Sequence, residues 1–262
     1  MHVNAIAVRR FSSAVSAART LARRVAADLS KNPRLVLGLP TGRTPVLFYD
    51  ELARLHAADR ADFSRAVTFN LDEFVGIAPD DPSSYRAFMQ RHLFDHINVL
   101  PRRIHFLDGL AADAVSECRS YERQIARAGG IDLLVLGLGV NGHIGFNEPG
   151  ASLVAAAHKT ALTRATRRAN ADLFGGRIGS VPAHALSMGM ATILRARRIV
   201  LLATGRNKST AVRRLVEERI TPLLPASLLQ LHPSVEVSPQ DAQNFIATWQ
   251  KISARHRAKH AA

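Results

Sequence analysis

The sequence predicts an α/β fold, a mainly parallel open sheet with helices on both faces, and three observations carry this. Short β-branched runs alternate with amphipathic stretches of helical period. The run 131–138 is the most strongly apolar of the chain, with the character of a strand covered on both faces. The 262 residues, 47% of them hydrophobic, suffice for one such core and exclude wholesale disorder.

The elements follow in order. Residues 3–8 form a first strand, followed by a helix over about 12–29 with apolar residues at Val15, Leu21, Val25 and Leu29. A compact strand at 35–39 runs into a Pro-Thr-Gly turn, and a helix begins at Pro45, since proline suits a first helical position. A strand at 67–71 precedes helices over 84–97 and 112–128. The apolar strand 131–138 comes next, then a helix over 181–195 and a strand at 199–203. The intervening stretch, with Arg164, Arg167, Arg168 and the pair Gly175–Gly176, lacks clear periodicity. A stretch of that length inside a compact domain is expected to be a mobile lid, about 151–180, carrying a short helix. No linker or internal repeat divides the chain, so residues 1–262 are expected to form a single α/β domain.

Composition narrows the function. The formal charge is +14, but the basic residues are scattered through every segment. The densest group, 251–260, suits the end of an amphipathic helix. Solvated faces account for such scatter, and attraction of an anionic substrate into a cleft comes next. No nucleic-acid-binding module accompanies the charge. No apolar run is long enough to span a bilayer, and the first residues lack the cationic start of a signal peptide. The lone Cys118 excludes an intrachain disulfide framework and any multi-cysteine metal site. The expectation is a cytoplasmic protein that binds neither nucleic acid nor membrane.

Open parallel sheets bind ligands at the carboxyl ends of their strands, and three loops there bear chemistry. In GLPTGRTP, residues 38–45, backbone amides and the hydroxyls of Thr41 and Thr44 can hold a phosphate beside Gly42 at a helix N-terminus. A plain tight turn is the alternative. In FNLDEFVG, residues 69–76, Asp72 and Glu73 point apart, so one faces the crevice and the other caps or pairs locally. In GLGVNGHIGFNEPG, residues 137–150, His143 belongs to the residue type that changes charge near neutrality, and Glu148 can orient its ring. The spacing of Gly137, Gly139 and Gly142 is not followed by a helix start, which argues against a dinucleotide site.

These loops, with SSYRAFMQRHLFDHINV, VPAHALSMGMATIL and LPASLLQLHP in the same order, resemble the glucosamine-6-phosphate deaminases over about residues 35–237. That family shares a superfamily with the 6-phosphogluconolactonases. The resemblance implies a Rossmann-like fold and conversion of D-glucosamine 6-phosphate and water to D-fructose 6-phosphate and ammonia, with no metal or organic cofactor. It implies that Asp72 moves a proton from C2 to C1, that His143 opens the sugar ring, and that Asn141 and Glu148 support the imidazole. It assigns phosphate binding to Thr41, Gly42, Thr44 and Lys208.

The chain departs from the family at two places. Where relatives carry a phosphate-binding arginine, in an N-A-R-F-F context, this sequence has Asp172. Arg43, where many relatives have glycine, is the expected substitute, with Arg167 and Arg168 in reserve. Basic residues near the start of the lid in allosterically activated members are replaced by Ala151, His158 and Thr160, so no activator site is carried over. The remaining alternatives are a galactosamine-6-phosphate deaminase, a 6-phosphogluconolactonase and a non-catalytic sugar-phosphate sensor. A homo-oligomer is left open.

Overall fold

A computed structural model describes residues 6–9, 11–205, 208–217 and 219–240. Residues 3–5 of the strand expected at 3–8, and the 251–260 tail, therefore fall outside the described residues.

Among the described residues the main sheet has seven strands, all parallel, in the order β1-β10-β9-β6-β2-β3-β5. These are β1 (Ala7–Val8), β2 (Val36–Leu39), β3 (Val67–Asn70), β5 (Ile104–His105), β6 (Leu133–Gly137), β9 (Ile199–Thr204) and β10 (Val235–Gln240). Successive residues of β6 feed opposite faces. Leu133 and Val135 pack with α1 (Ala14–Lys31) and α2 (Val46–Ala57), through Leu21, Val25, Phe48 and Leu52. Leu134 and Leu136 pack with α4 (Ala114–Arg127), α6 (Met190–Leu194) and α7 (Ser209–Glu217), through Tyr121, Ile193 and Leu215. Coverage on both faces is why this strand is apolar without alternation. Burying each large side chain contributes about 1.5–3 kcal/mol.

Local sequence sets the helix starts. Ser13 and Ser16 form a reciprocal capping box on α1, and Asp113 accepts from two backbone amides of α4. Pro45 is the residue before α2, one position earlier than predicted. The helix predicted over 84–97 ends early: α3 is Tyr85–His92, broken at Leu93, and a 3₁₀ turn covers Phe94–His96.

The larger corrections concern a second sheet. Asp72 lies not on a loop but on β4 (Asp72–Phe74), which pairs antiparallel with β8 (His184–Ser187), itself paired with β7 (His158–Ala161). The helix predicted over 181–195 is thus a strand followed by the short α6. The apolar positions of that stretch satisfy a strand once β4 is available as a partner. The stretch expected to be an irregular lid holds β7, α5 (Arg164–Asn170) and 3₁₀ turns at Ala171–Phe174 and Ile178–Ser180. Under it lies a separate apolar cluster of Phe74, Tyr85, Phe146, Phe174 and Val181.

Candidate active site

From β2 the chain winds to β3 and β5 on one side of the sheet, whereas β6 neighbours β9 and β10 on the other. The strand order therefore reverses between β2 and β6, and a crevice opens at their carboxyl ends. A cleft of about 230 Å³ sits there. Its walls include Thr41, Gly42, Arg43 and Thr44 after β2, Asn141 and His143 after β6, Asp72 from β4 and Lys208 after β9. The residues singled out in three separate loops thus meet in one cleft, with Glu148 standing behind Asn141 and His143.

Asp72 and Glu73 divide their tasks as adjacent residues on a strand must, by pointing opposite ways. Glu73 is buried and accepts from the backbone amides of Phe74, Tyr85 and Arg86, so it anchors the start of α3. Asp72 is 7% exposed, and among the described residues no hydrogen bond holds its carboxylate. Burial, aided by the nearby Glu73 charge, pushes its carboxyl up to about 8. Gly145, at φ 57°, brings the following loop against this group: a β-carbon there would stand 3.1 Å from Ser187 Oγ and 3.7 Å from Asp72 Oδ2.

Desolvation of Asp72 sets a pH dependence of stability. The folded state keeps a proton that the unfolded chain releases near pH 4. Stability from this residue is complete below that pH and is lost as pH rises towards 8. Asp72→Asn should therefore melt higher than the parent, by a gap that widens from pH 5 to pH 8 and then levels. On the order of 2 kcal/mol, or about 4–8 °C for a chain of this size, is expected in a denaturation series. A gap independent of pH would show that Asp72 folds as a carboxylate.

The histidine loop is built tightly. The Gly139 amide donates to the His143 carbonyl at 2.9 Å, and the Gly142 amide to the Gly139 carbonyl at 3.1 Å. A β-carbon on Gly139 would collide with the His143 ring, so only glycine fits. The Asn147 side-chain amide donates to the carbonyls of Ile144 and Met188, pinning the loop beside β8. Ala226, from the LPASLLQLHP segment, donates its amide to the Gly142 carbonyl, which explains a motif that bears no chemistry itself.

His143 is half-buried, with Nδ1 3.7 Å from Glu148 Oε2. That spacing suits charge attraction but exceeds a hydrogen bond. Asn141 donates to Glu148 Oε2 at 2.8 Å and accepts from the His143 amide at 3.2 Å. Burial alone would raise the Glu148 carboxyl, but the His143 ring, the Thr166 hydroxyl and the Asn141 amide together bring it down to about 2. Glu148 is therefore an anion throughout the neutral range, facing the His143 ring.

Three lining residues were not legible in the sequence. Tyr85 is buried at the start of α3 and donates its hydroxyl to Asn170 Oδ1 at 2.9 Å, while the Thr41 hydroxyl bonds the same phenol. Burial and the Asp72 charge keep that phenol well above its usual range, so it remains a proton donor. Thr166 and Asn170 lie on α5, and Thr166 donates to Glu148 Oε1. Of the two arginines held in reserve, Arg167 donates to the carbonyls of Val181 and Ile178, and neither it nor Arg168 lines the cleft. Burial draws the Lys208 ammonium down. Among the described residues no three His, Cys, Asp or Glu side chains are grouped to hold a metal ion, and no helix is long and apolar enough to cross a membrane.

A parallel α/β sheet whose crevice lies at the reversal of strand order, with titratable groups converging there, defines an α/β enzyme. The profile for glucosamine-6-phosphate isomerases/6-phosphogluconolactonase matches residues 10–237, and the chain belongs to that family. It is 48% identical over 211 residues to a glucosamine-6-phosphate deaminase of Halothermothrix orenii, covering 80% of this chain and 87% of that one. It is likewise 48% identical over 217 residues to glucosamine-6-phosphate deaminase 2 of Giardia intestinalis, covering 83% of this chain and 82% of its relative. The structure of a monomeric glucosamine-6-phosphate deaminase superposes with a TM-score of 0.87 at 42% identity, over 90% of this chain and 98% of the other. A 6-phosphogluconolactonase from Shewanella baltica superposes with a TM-score of 0.72 at 18% identity, over 91% and 99%, a likeness of fold alone.

Proposed function

We propose that the chain is a glucosamine-6-phosphate deaminase, converting D-glucosamine 6-phosphate and water to D-fructose 6-phosphate and ammonia. The observation that carries this reading is the single cleft in which an unengaged buried carboxylate, Asp72, shares walls with His143 and with the phosphate-type loop at residues 41–44. Relatives of that name at 48% identity support it.

The chemistry fits the groups. His143, steadied by the Glu148 charge and the Asn141 amide, moves the proton that opens the sugar ring. The exposed C1 carbonyl acidifies the C2 proton, and Asp72 removes it, giving an enaminol. The same carboxyl returns the proton to C1, leaving an imine at C2. Water adds to that imine and ammonia leaves, which yields the ketose. Carrying one proton over so short a path suits a desolvated carboxyl shielded from exchange with bulk water. Thr41, Gly42, Thr44, Arg43 and Lys208 hold the phosphate at the far end, where binding energy fixes C2 against Asp72.

The test assays ammonia release from glucosamine 6-phosphate and galactosamine 6-phosphate, alongside hydrolysis of 6-phosphogluconolactone. Ammonia from the gluco sugar is the expected result. Lactone hydrolysis without ammonia would overturn the proposal in favour of the sister activity, and no turnover of any substrate would leave a sugar-phosphate binder.

A further inference from the structure

The mouth of the cleft already holds an anion. Arg43 Nη2 donates to Asp172 Oδ2 at 2.5 Å, joining the loop after β2 to the 3₁₀ turn that follows α5. The two side chains are 85% and 73% exposed, so the pair lies in solvent at the rim. Arg43 lines the cleft between Gly42 and Thr44, whereas Asp172 does not reach into it. Among the described residues Lys208, the other cation lining this end, has no carboxylate partner.

We infer that Asp172 is a built-in competitor for the substrate phosphate: it occupies the Arg43 guanidinium in the empty enzyme and gives it up when a phosphorylated sugar enters. This rests on the functional reading above. A carboxylate and a phosphate offer a guanidinium the same pair of acceptor oxygens, so the two compete for one fork. The phosphate brings nearly two charges against one, and backbone amides lie one residue away on either side of Arg43. An exposed ion pair is weak, so its rupture costs little. The pair also tethers the lid to the phosphate loop, beside the Tyr85–Asn170 bond. A sugar without phosphate has nothing to exchange for Asp172 and leaves that tether closed. Arg43 and Asp172 together thus favour phosphorylated ligands.

The test measures fructose 6-phosphate binding by calorimetry to the full chain and to Arg43→Gln, Asp172→Asn and the double variant. Hydrogen exchange over residues 164–174 is followed in the ligand-free proteins. Arg43→Gln should weaken binding about tenfold and Asp172→Asn should tighten it about threefold, the range expected when one exposed charge-assisted hydrogen bond is deleted or set free. Lid exchange should rise equally in both single variants and no further in the double, because one pair is broken in each. Weaker binding in Asp172→Asn would overturn the inference by showing that the carboxylate orients Arg43. Unchanged binding in Arg43→Gln would overturn it by removing Arg43 from the phosphate. Absence of any binding by the parent chain would overturn the functional reading and the competitor with it. Equal constants in all four proteins would overturn the competitor alone.

Discussion

Asp72→Asn is expected to lower turnover of glucosamine 6-phosphate by on the order of 10²–10⁴-fold, the contribution of a positioned general base. Fructose 6-phosphate affinity should stay within about threefold, because the amide keeps the shape and the phosphate is held elsewhere. Transfer of a deuterium label from C2 of the substrate to C1 of the product should fall with turnover, since one carboxyl performs both proton transfers. The pH profile carries a second signature. Burial holds the free carboxyl near 8, so kcat/KM should climb as pH rises towards that value. A bound amino sugar places an ammonium beside the carboxyl, and a neighbouring cation favours the ionised form. The profile of kcat should therefore reach its plateau at lower pH than that of kcat/KM. Near-full deamination by Asp72→Asn would make Asp72 a structural residue and end the proposed proton path.

His143→Gln should produce the other large loss, on the order of 10²-fold or more for the cyclic sugar. An analogue locked in the open-chain form should lose far less, because ring opening is the step given to the imidazole. Glu148→Gln should give a milder version of the same defect: it removes the charge 3.7 Å from Nδ1 but keeps an acceptor for the Asn141 amide, and its NH2 can donate to the Thr166 hydroxyl. Equal losses on both sugars would place His143 at the C2 step or make it a prop for its loop.

Much of this was legible in the sequence, for identifiable reasons. Strands β2, β3, β6 and β9 are short apolar runs because both of their faces are covered, and that pattern survives without any knowledge of partners. The loops at 38–45, 69–76 and 137–150 were legible because each follows a parallel strand, where crevice residues fall, whereas Lys208 and the part given to Asn141 came from the family resemblance. The small sheet was not. β4 has three residues, Asp-Glu-Phe, too few to show a period, and β8 has apolar positions that also fit a helix. Their pairing across a long sequence separation, not their local preference, decides the outcome. Tyr85, Thr166 and Asn170 escaped for a related reason. Each is a polar residue near or within a short helix, and only the approach of that helix to the cleft turns it inward. The Arg43–Asp172 pair has no local signature at all: opposite charges far apart in sequence become neighbours only through the fold.

The pairing of β4 with β8 also governs when the protein becomes active during its synthesis. β2 and β3 adjoin in sequence as well as in the sheet, so their half of the scaffold assembles from the amino-terminal chain. Asp72 emerges from the ribosome with that half, yet its strand has no partner until the segment Ala185–Ser187 has followed. Later still come Lys208 and the Leu224–Ala226 turn that braces the histidine loop. Contacts of such range close slowly and after local ones. A nascent chain therefore carries its buried acid wetted and ordinary, with the carboxyl ionised at neutral pH. Only the arrival of these later segments dehydrates it, so the reactive group matures with residues 185–226 rather than with the segment that encodes it.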